Sequence, residues 1–259
     1  MTDTLAERAA DFIAATGTRR HAPDVIDQAK RCLVDWMGVA IGASGEPVSR
    51  TVVQSALAWG ATGKARILIG EQTTPALAAL ANATMGHALD FDDTRGHAPS
   101  HLSSPSWAAT LAVAEHRGLD GAAALGAFIA GYEISAVLGD VMVGDVMGGE
   151  NGFGNLMQGA GFHPTGVFGR LSAAAATAVL MGCDRDQIVN ALAAAATMGG
   201  GLTASFGTMA KPLHSGKAAM DGVHAAELAA RGFVAARDVF EAPGGFANAF
   251  VQTATTQFD

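Results

Sequence analysis

Apolar residues recur at intervals of three and four through most of this chain, in Ala-rich runs at residues 3–16, 23–42, 46–60, 73–88, 105–117, 120–142, 164–182, 185–198 and 216–231. That period lines one face of a helix, so the pattern predicts an all-α fold. Pro23, Pro47, Pro75 and Pro105 stand near the predicted helix starts, and Gly60, Gly118, Gly182 and Gly232 just past the ends. Proline lacks the N–H that a first turn leaves unpaired, and glycine takes the left-handed conformation that closes a last turn. The strand-like run at 65–70 is short and isolated, which predicts a hairpin arm or an extended connector. Three stretches, 90–104, 144–161 and 199–213, break the period and are dense in Gly, Ser, His and Asp. Side chains that do chemistry concentrate in such loops, held by a rigid scaffold, although a solvated surface loop has the same composition. The Gly-rich middle stretch suits a mobile flap over a ligand or simply disorder.

Composition narrows this picture. With 49% hydrophobic and 15% charged residues the chain has ample surface for one large core over residues 1–259, and more than a soluble monomer of this size needs. An oligomer is expected. A net charge of −8 with only 16 Lys and Arg, none in a basic run, argues against nucleic acid. The same negative field would repel an anionic substrate, so an acid-binding site would need a few concentrated cations and helix N-termini. Cys32 and Cys183 lie in separate apolar segments and read as buried free thiols of a reducing compartment. The N-terminus lacks the basic and apolar regions of a signal peptide, and Tyr132, Glu133 and Asp140 interrupt the most apolar stretch, which disfavours a membrane span. The expected location is the cytoplasm.

The densest chemistry lies between His87 and His101, which enclose Asp90, Asp92, Asp93, Thr94 and His97. Carboxylates at a helix C-terminus oppose the helix dipole, so Asp90, placed at the end of an apolar helix, needs compensation. Asp90 and Asp93 would share a face if the turn continued. His97 and His101 have the i, i+4 spacing that two metal-binding imidazoles use on a helix, and with Asp92 and Asp93 they would suit a metal-dependent hydrolase. Pro99 between them breaks that helix, and acid–base work by histidines beside carboxylates is the better reading. His163, just before Pro164, is expected at a helix N-cap, where the dipole favours its neutral form and attracts a carboxylate. Lys211, before Pro212, is expected to be extended ahead of another helix start and to pair with a substrate carboxylate, the plainer alternative being an exposed lysine with Ser215 as a cap.

LDFDDT with His101 after it, GFHPT at 161–165 and KPLHSGKAA at 211–219 resemble the MmgE/PrpD family, which includes 2-methylcitrate dehydratase, cis-aconitate decarboxylase and iminodisuccinate epimerase. The resemblance runs in order over nearly the whole chain, starting in the helix that carries residues 32–40. It implies a large helical domain of the MmgE/PrpD type whose active site lies against a smaller α+β lid domain, usually in a homodimer, with no metal or organic cofactor. Family members are much longer, so the resemblance implies a chain that stops before its lid and draws on a companion chain, or serves as a non-catalytic scaffold. It implies substrate contact by Asp90 and Thr94, acid–base roles for His101 and His163, and a carboxylate anchor in Lys211. The expected activity is a cofactor-independent lyase or isomerase, moving a proton next to a carboxylate of a small di- or tricarboxylate. DFDDT differs from the DFNDT of 2-methylcitrate dehydratases, which leaves the substrate open.

Overall fold

The computed structural model describes residues 3–94, 100–144 and 153–251. The elements are α1 (Leu5–Thr18), α2 (Pro23–Gly42), α3 (Pro47–Ala58), β1 (Ala65–Arg66), β2 (Gln72–Thr73), α4 (Pro75–Gly86), α5 (Ser103–Arg117), α6 (Gly121–Gly144), α7 (Phe153–Gly159), α8 (Pro164–Met181), α9 (Arg185–Thr197), α10 (Ala210–Ala230) and α11 (Phe246–Val251). The fold is all-α, with β1 and β2 forming one small antiparallel hairpin where the strand-like run was expected. Four helices, α2, α3, α4 and α8, have proline as their first residue and no side-chain cap. α1 and α9 start instead on capping boxes, Thr4 with Glu7 and Asp184 with Gln187.

Several boundaries correct the sequence reading. α10 begins at Ala210, six residues before the expected start, because Pro212 sits in its first turn, where a missing N–H breaks no helical bond. Lys211 is therefore helical rather than extended, and Ser215 is a buried residue inside the helix, not a cap. α4 ends at Gly86, so the turn does not continue to place Asp90 and Asp93 on one face. α7 lies within the Gly-rich stretch read as a flap, and residues 145–152 of that stretch lie outside the described residues. α6 has the length and apolarity of a membrane span, but 61% of that window is buried within the protein, as in a core helix.

α8 is the centre of the molecule, buried along nearly its whole length and packed by α10, α6, α5 and α9. One face of the core joins α8 to α1, α6, α9 and α11, and the other joins it to α2, α4 and α5. Small residues let these helices close together. A Cβ on Gly216 of α10 would fall 2.0 Å from Thr84 Oγ1 of α4, and one on Gly222 would fall 2.7 Å from the Arg170 carbonyl of α8. α10 is thereby pressed at once against the helix that leads into the acidic loop and the helix that starts at His163. A buried ion pair locks the second contact: Arg170 Nη2 lies 3.1 Å from Asp221 Oδ2, and Arg170 Nη1 donates to the Gly166 carbonyl at 2.7 Å. Such a pair adds little net stability but strongly disfavours other registers, because either ion left alone in the core is costly.

Candidate active site

The three motif segments meet at the N-terminal ends of α8 and α10. The first leaves α4 at His87, turns at Asp90, whose φ of +58° is in the left-handed region, and runs through Asp92 and Thr94. Aspartate is one of the few residues with a side chain that tolerates this conformation, at a cost of about 1 kcal/mol, and such strain concentrates at functional sites. The second segment is the start of α8, with His163 at its N-cap as expected and Thr165 in the first turn. The third is the start of α10, with Lys211 and His214.

Each segment is bonded to the other two. The His101 backbone N–H donates to Thr165 Oγ1 at 3.0 Å, joining the first to the second. His163 Nδ1 and His214 Nδ1 lie 3.2 Å apart, joining the second to the third. The Lys211 ammonium pairs with the Asp90 carboxylate, joining the third to the first. Within this ring, His87 Nδ1 donates to both oxygens of Asp92 at 3.0 Å. His101 Nδ1 faces the Asp92 carbonyl at 3.0 Å and its carboxylate at 3.4 Å, while His101 Nε2 lies 3.6 Å from Asp90. Thr94 Oγ1 is 3.5 Å from His101 Nδ1, at the limit of hydrogen-bond reach. The rings of His87 and His163 stack with centroids 5.7 Å apart, and Phe206 closes edge-on over His163 at 4.9 Å. All five residues singled out from the sequence, Asp90, Thr94, His101, His163 and Lys211, are in this assembly.

The electrostatics separate the histidines by role. Burial pulls the Asp92 carboxyl upward, but hydrogen bonds and charge from His101 and His87 hold it at about 2. Burial likewise opposes ionisation of His101, and Asp92 and Asp90 outweigh it, so its pKa is raised. His163 goes the other way: burial, then the neighbouring His87, His214 and Lys211, press it down to about 2. His163 is thus a neutral imidazole 3% exposed, and His101 is the ring biased toward the imidazolium. Asp90 is lowered because the Lys211 ammonium outweighs the effect of its burial. The site so holds a cation, a neutral imidazole and an imidazole near the charged form around one point, the set required to bind a carboxylate and move a proton beside it.

The metal set suggested by spacing does not assemble. Asp92 and His101 are in the cluster, but Asp93 faces away, its carboxylate accepting from the Ser103 N–H at 3.2 Å and the Tyr132 hydroxyl at 3.0 Å. His97 lies outside the described residues. His87, Asp90, Asp92 and His101 each bring one ligand atom within 4.8 Å of the others, close enough to reach one cation. His87 Nδ1 and the Asp92 carboxylate engage one another and the Lys211 ammonium pairs with Asp90, while the buried His87 Nε2 has no hydrogen-bond partner among the described residues.

The MmgE/PrpD N-terminal domain family matches residues 7–259. This chain belongs to the MmgE/PrpD family. It is 30% identical over 239 residues to cis-aconitate decarboxylase of Aspergillus terreus, covering 88% of this chain and 46% of that protein. It is 31% identical over 240 residues to the cis-aconitate decarboxylase-like protein oryM of Aspergillus oryzae, covering 88% and 48%. It is 29% identical over 251 residues to the cis-aconitate decarboxylase of Homo sapiens, covering 87% and 46%. The chain spans about half the length of these curated relatives, and its all-α architecture is that of the N-terminal domain. Four members of this cluster escaped assignment from sequence: His87, Asp92 as an imidazole anchor, Thr165 and His214. Each lay inside a motif segment already singled out, but only the packing shows which side chains turn inward.

Proposed function

We propose that this chain carries the proton-transfer half of a cofactor-independent lyase acting on a small di- or tricarboxylate, with cis-aconitate as the first candidate substrate. The observation that carries the reading is the closed ring of contacts among the three segments, which sets Lys211, a neutral His163 and His101 around one point. In this reading Lys211, Thr94 and the positive end of the α8 dipole hold substrate carboxylates. A cavity of about 440 Å³ lined by His87, Asp90 and Lys211, though not by Thr94, His101 or His163, adjoins this assembly. His163 and His101 exchange protons with the substrate carbon, and Asp90 orients Lys211 and His101. Loss of CO₂ leaves an electron pair on carbon that must take a proton, and a dehydratase or epimerase reuses the same groups.

The test is an NMR time course in deuterated buffer with cis-aconitate, citrate, 2-methylcitrate and aspartate-derived acids. Decarboxylation or dehydration with deuterium entering the product is the expected result. A second reading is favoured by Phe91, Leu202, Met209 and Leu213, large apolar side chains 41–76% exposed on the segments that carry the site. In that reading the rim is covered by a further segment or companion chain, and turnover appears only when it is present. Absence of turnover both with this chain and with a chain restored to the length of its relatives overturns the lyase assignment.

A further inference from the structure

We propose that His214 is a positioning and proton-relay residue for His163, setting its tautomer and connecting that buried ring to solvent. The inference rests on the reading of His163 as an acid–base group. With Nδ1 atoms 3.2 Å apart, two neutral imidazoles keep their contact only if one Nδ1 carries a proton and the other a lone pair. Burial lowers the pKa of both rings, which keeps both neutral. The direction of that one hydrogen bond decides the opposite edge of His163. When His214 donates, His163 keeps its proton on Nε2 and is an acid there; when His163 donates, its Nε2 is a bare base.

The backbone around the pair is shaped to hold it. The His163 N–H donates to the Gly201 carbonyl at 2.9 Å and the Thr203 N–H to the Gly161 carbonyl at 2.9 Å, joining the loop before α10 to the start of α8. A Cβ on Gly201 would lie 3.0 Å from Cγ and Nδ1 of His214, and one on Gly166 would lie 3.3 Å from its Cβ. Gly201 also has φ of +110°, which favours glycine. Two glycines thus bring main chain against His214. His163 is sealed from water, whereas His214 is half-buried.

The relay balances. In the starting state His163 holds its proton on Nε2 and His214 holds its proton on Nδ1. As the substrate carbon takes the His163 Nε2 proton, a C–H bond forms and the N–H electron pair stays on Nε2. The His214 Nδ1 proton crosses to His163 Nδ1, and a water gives a proton to His214 Nε2, leaving a hydroxide that carries into solvent the negative charge that was on the carbon. Both rings end neutral with their tautomers reversed. Exchange with water after product leaves restores the start.

The experiment is ¹⁵N NMR of the full chain labelled at histidine, reading ring tautomers, scalar coupling across the Nδ1–Nδ1 hydrogen bond, and exchange of the shared proton with water. The wild type should show one protonated Nδ1 coupled to the other. In His214→Phe the coupling should be lost, His163 should become a tautomer mixture, and exchange at its ring should slow by about tenfold, one decade in rate. His214→Gln, which keeps a polar partner, should restore the single tautomer without the fast exchange. Absence of coupling in the wild type, or a His163 tautomer and exchange rate unchanged in both variants, overturns the proposal. None of these readouts needs turnover, so they fail separately from the lyase assignment, and the wild-type measurement stands even if a variant does not fold.

Discussion

Asp92 and Asp93 are neighbours in the chain, yet the two sides of their loop are different environments. Asp92 turns toward the imidazoles of His87 and His101 and is held at about 2 against the effect of burial. Asp93 turns toward α5 and α6, where burial raises its pKa even though Ser103 and Tyr132 both donate to it. It faces a second cavity, of about 300 Å³, lined also by Cys32, Phe128 and Tyr132. Burial is heavy on both sides, so burial does not distinguish them. The difference is that imidazoles carry or share a positive charge, whereas a hydroxyl and an amide offer dipoles alone. One side gathers imidazoles around a carboxylate, and the other anchors the loop to the scaffold.

The largest expected effect comes from emptying the imidazole side. In a lid-containing form with measurable turnover, His163→Ala should lower kcat by about 10²-fold or more with the fold retained, as loss of a general acid or base does. Circular dichroism checks the fold, and retained turnover removes His163 from the reaction. Next in size is stability at neutral pH. Asp92→Asn should cost about 2 kcal/mol, the linkage value of a carboxyl held near 2 against an unfolded value near 3.9. Asp93→Asn should cost less, about 1 kcal/mol, for one disturbed neutral hydrogen bond. Urea unfolding of both variants measures this, and equal losses would erase the contrast between the two sides.

The smallest effect is the sharpest discriminator. Asp92 has a lowered folded pKa, so its stabilisation is present above the unfolded value and is lost as pH falls from there through about 2. Asp93 has a raised folded pKa, so the folded state gains stability as pH falls from that folded value to the unfolded one. The penalty of Asp92→Asn should therefore shrink toward zero below pH about 4. The penalty of Asp93→Asn should grow on the same descent. Stability curves for the two variants that move together with pH would contradict this assignment of environments.

Much of this organisation is legible in the sequence. Helical periodicity with Pro at starts and Gly at ends located most of the long helices, since these signals are local and each has its own backbone cause. The start of α10 was misplaced by a rule that is sound for helix interiors, because Pro212 lies in the one turn where it costs nothing. The same limit applies to Asp90 and Asp93: a three-residue spacing means one face only while the helix lasts, and α4 ends at Gly86.

The candidate site divides in the same way. Residue types and order alone, in LDFDDT, GFHPT and KPLHSGKAA, determined which three segments matter and which family the chain resembles, because the chemistry needs those groups whatever the packing. Only the tertiary structure decided that His87 and Asp92 face inward while Asp93 faces away, that Thr165 joins α8 to His101, and that His214 meets His163. Those contacts join residues up to 121 positions apart, as in Lys211 with Asp90. They depend on how closely α10 can approach α4 and α8 at Gly216 and Gly222, a sum of small steric allowances that no single stretch of sequence contains.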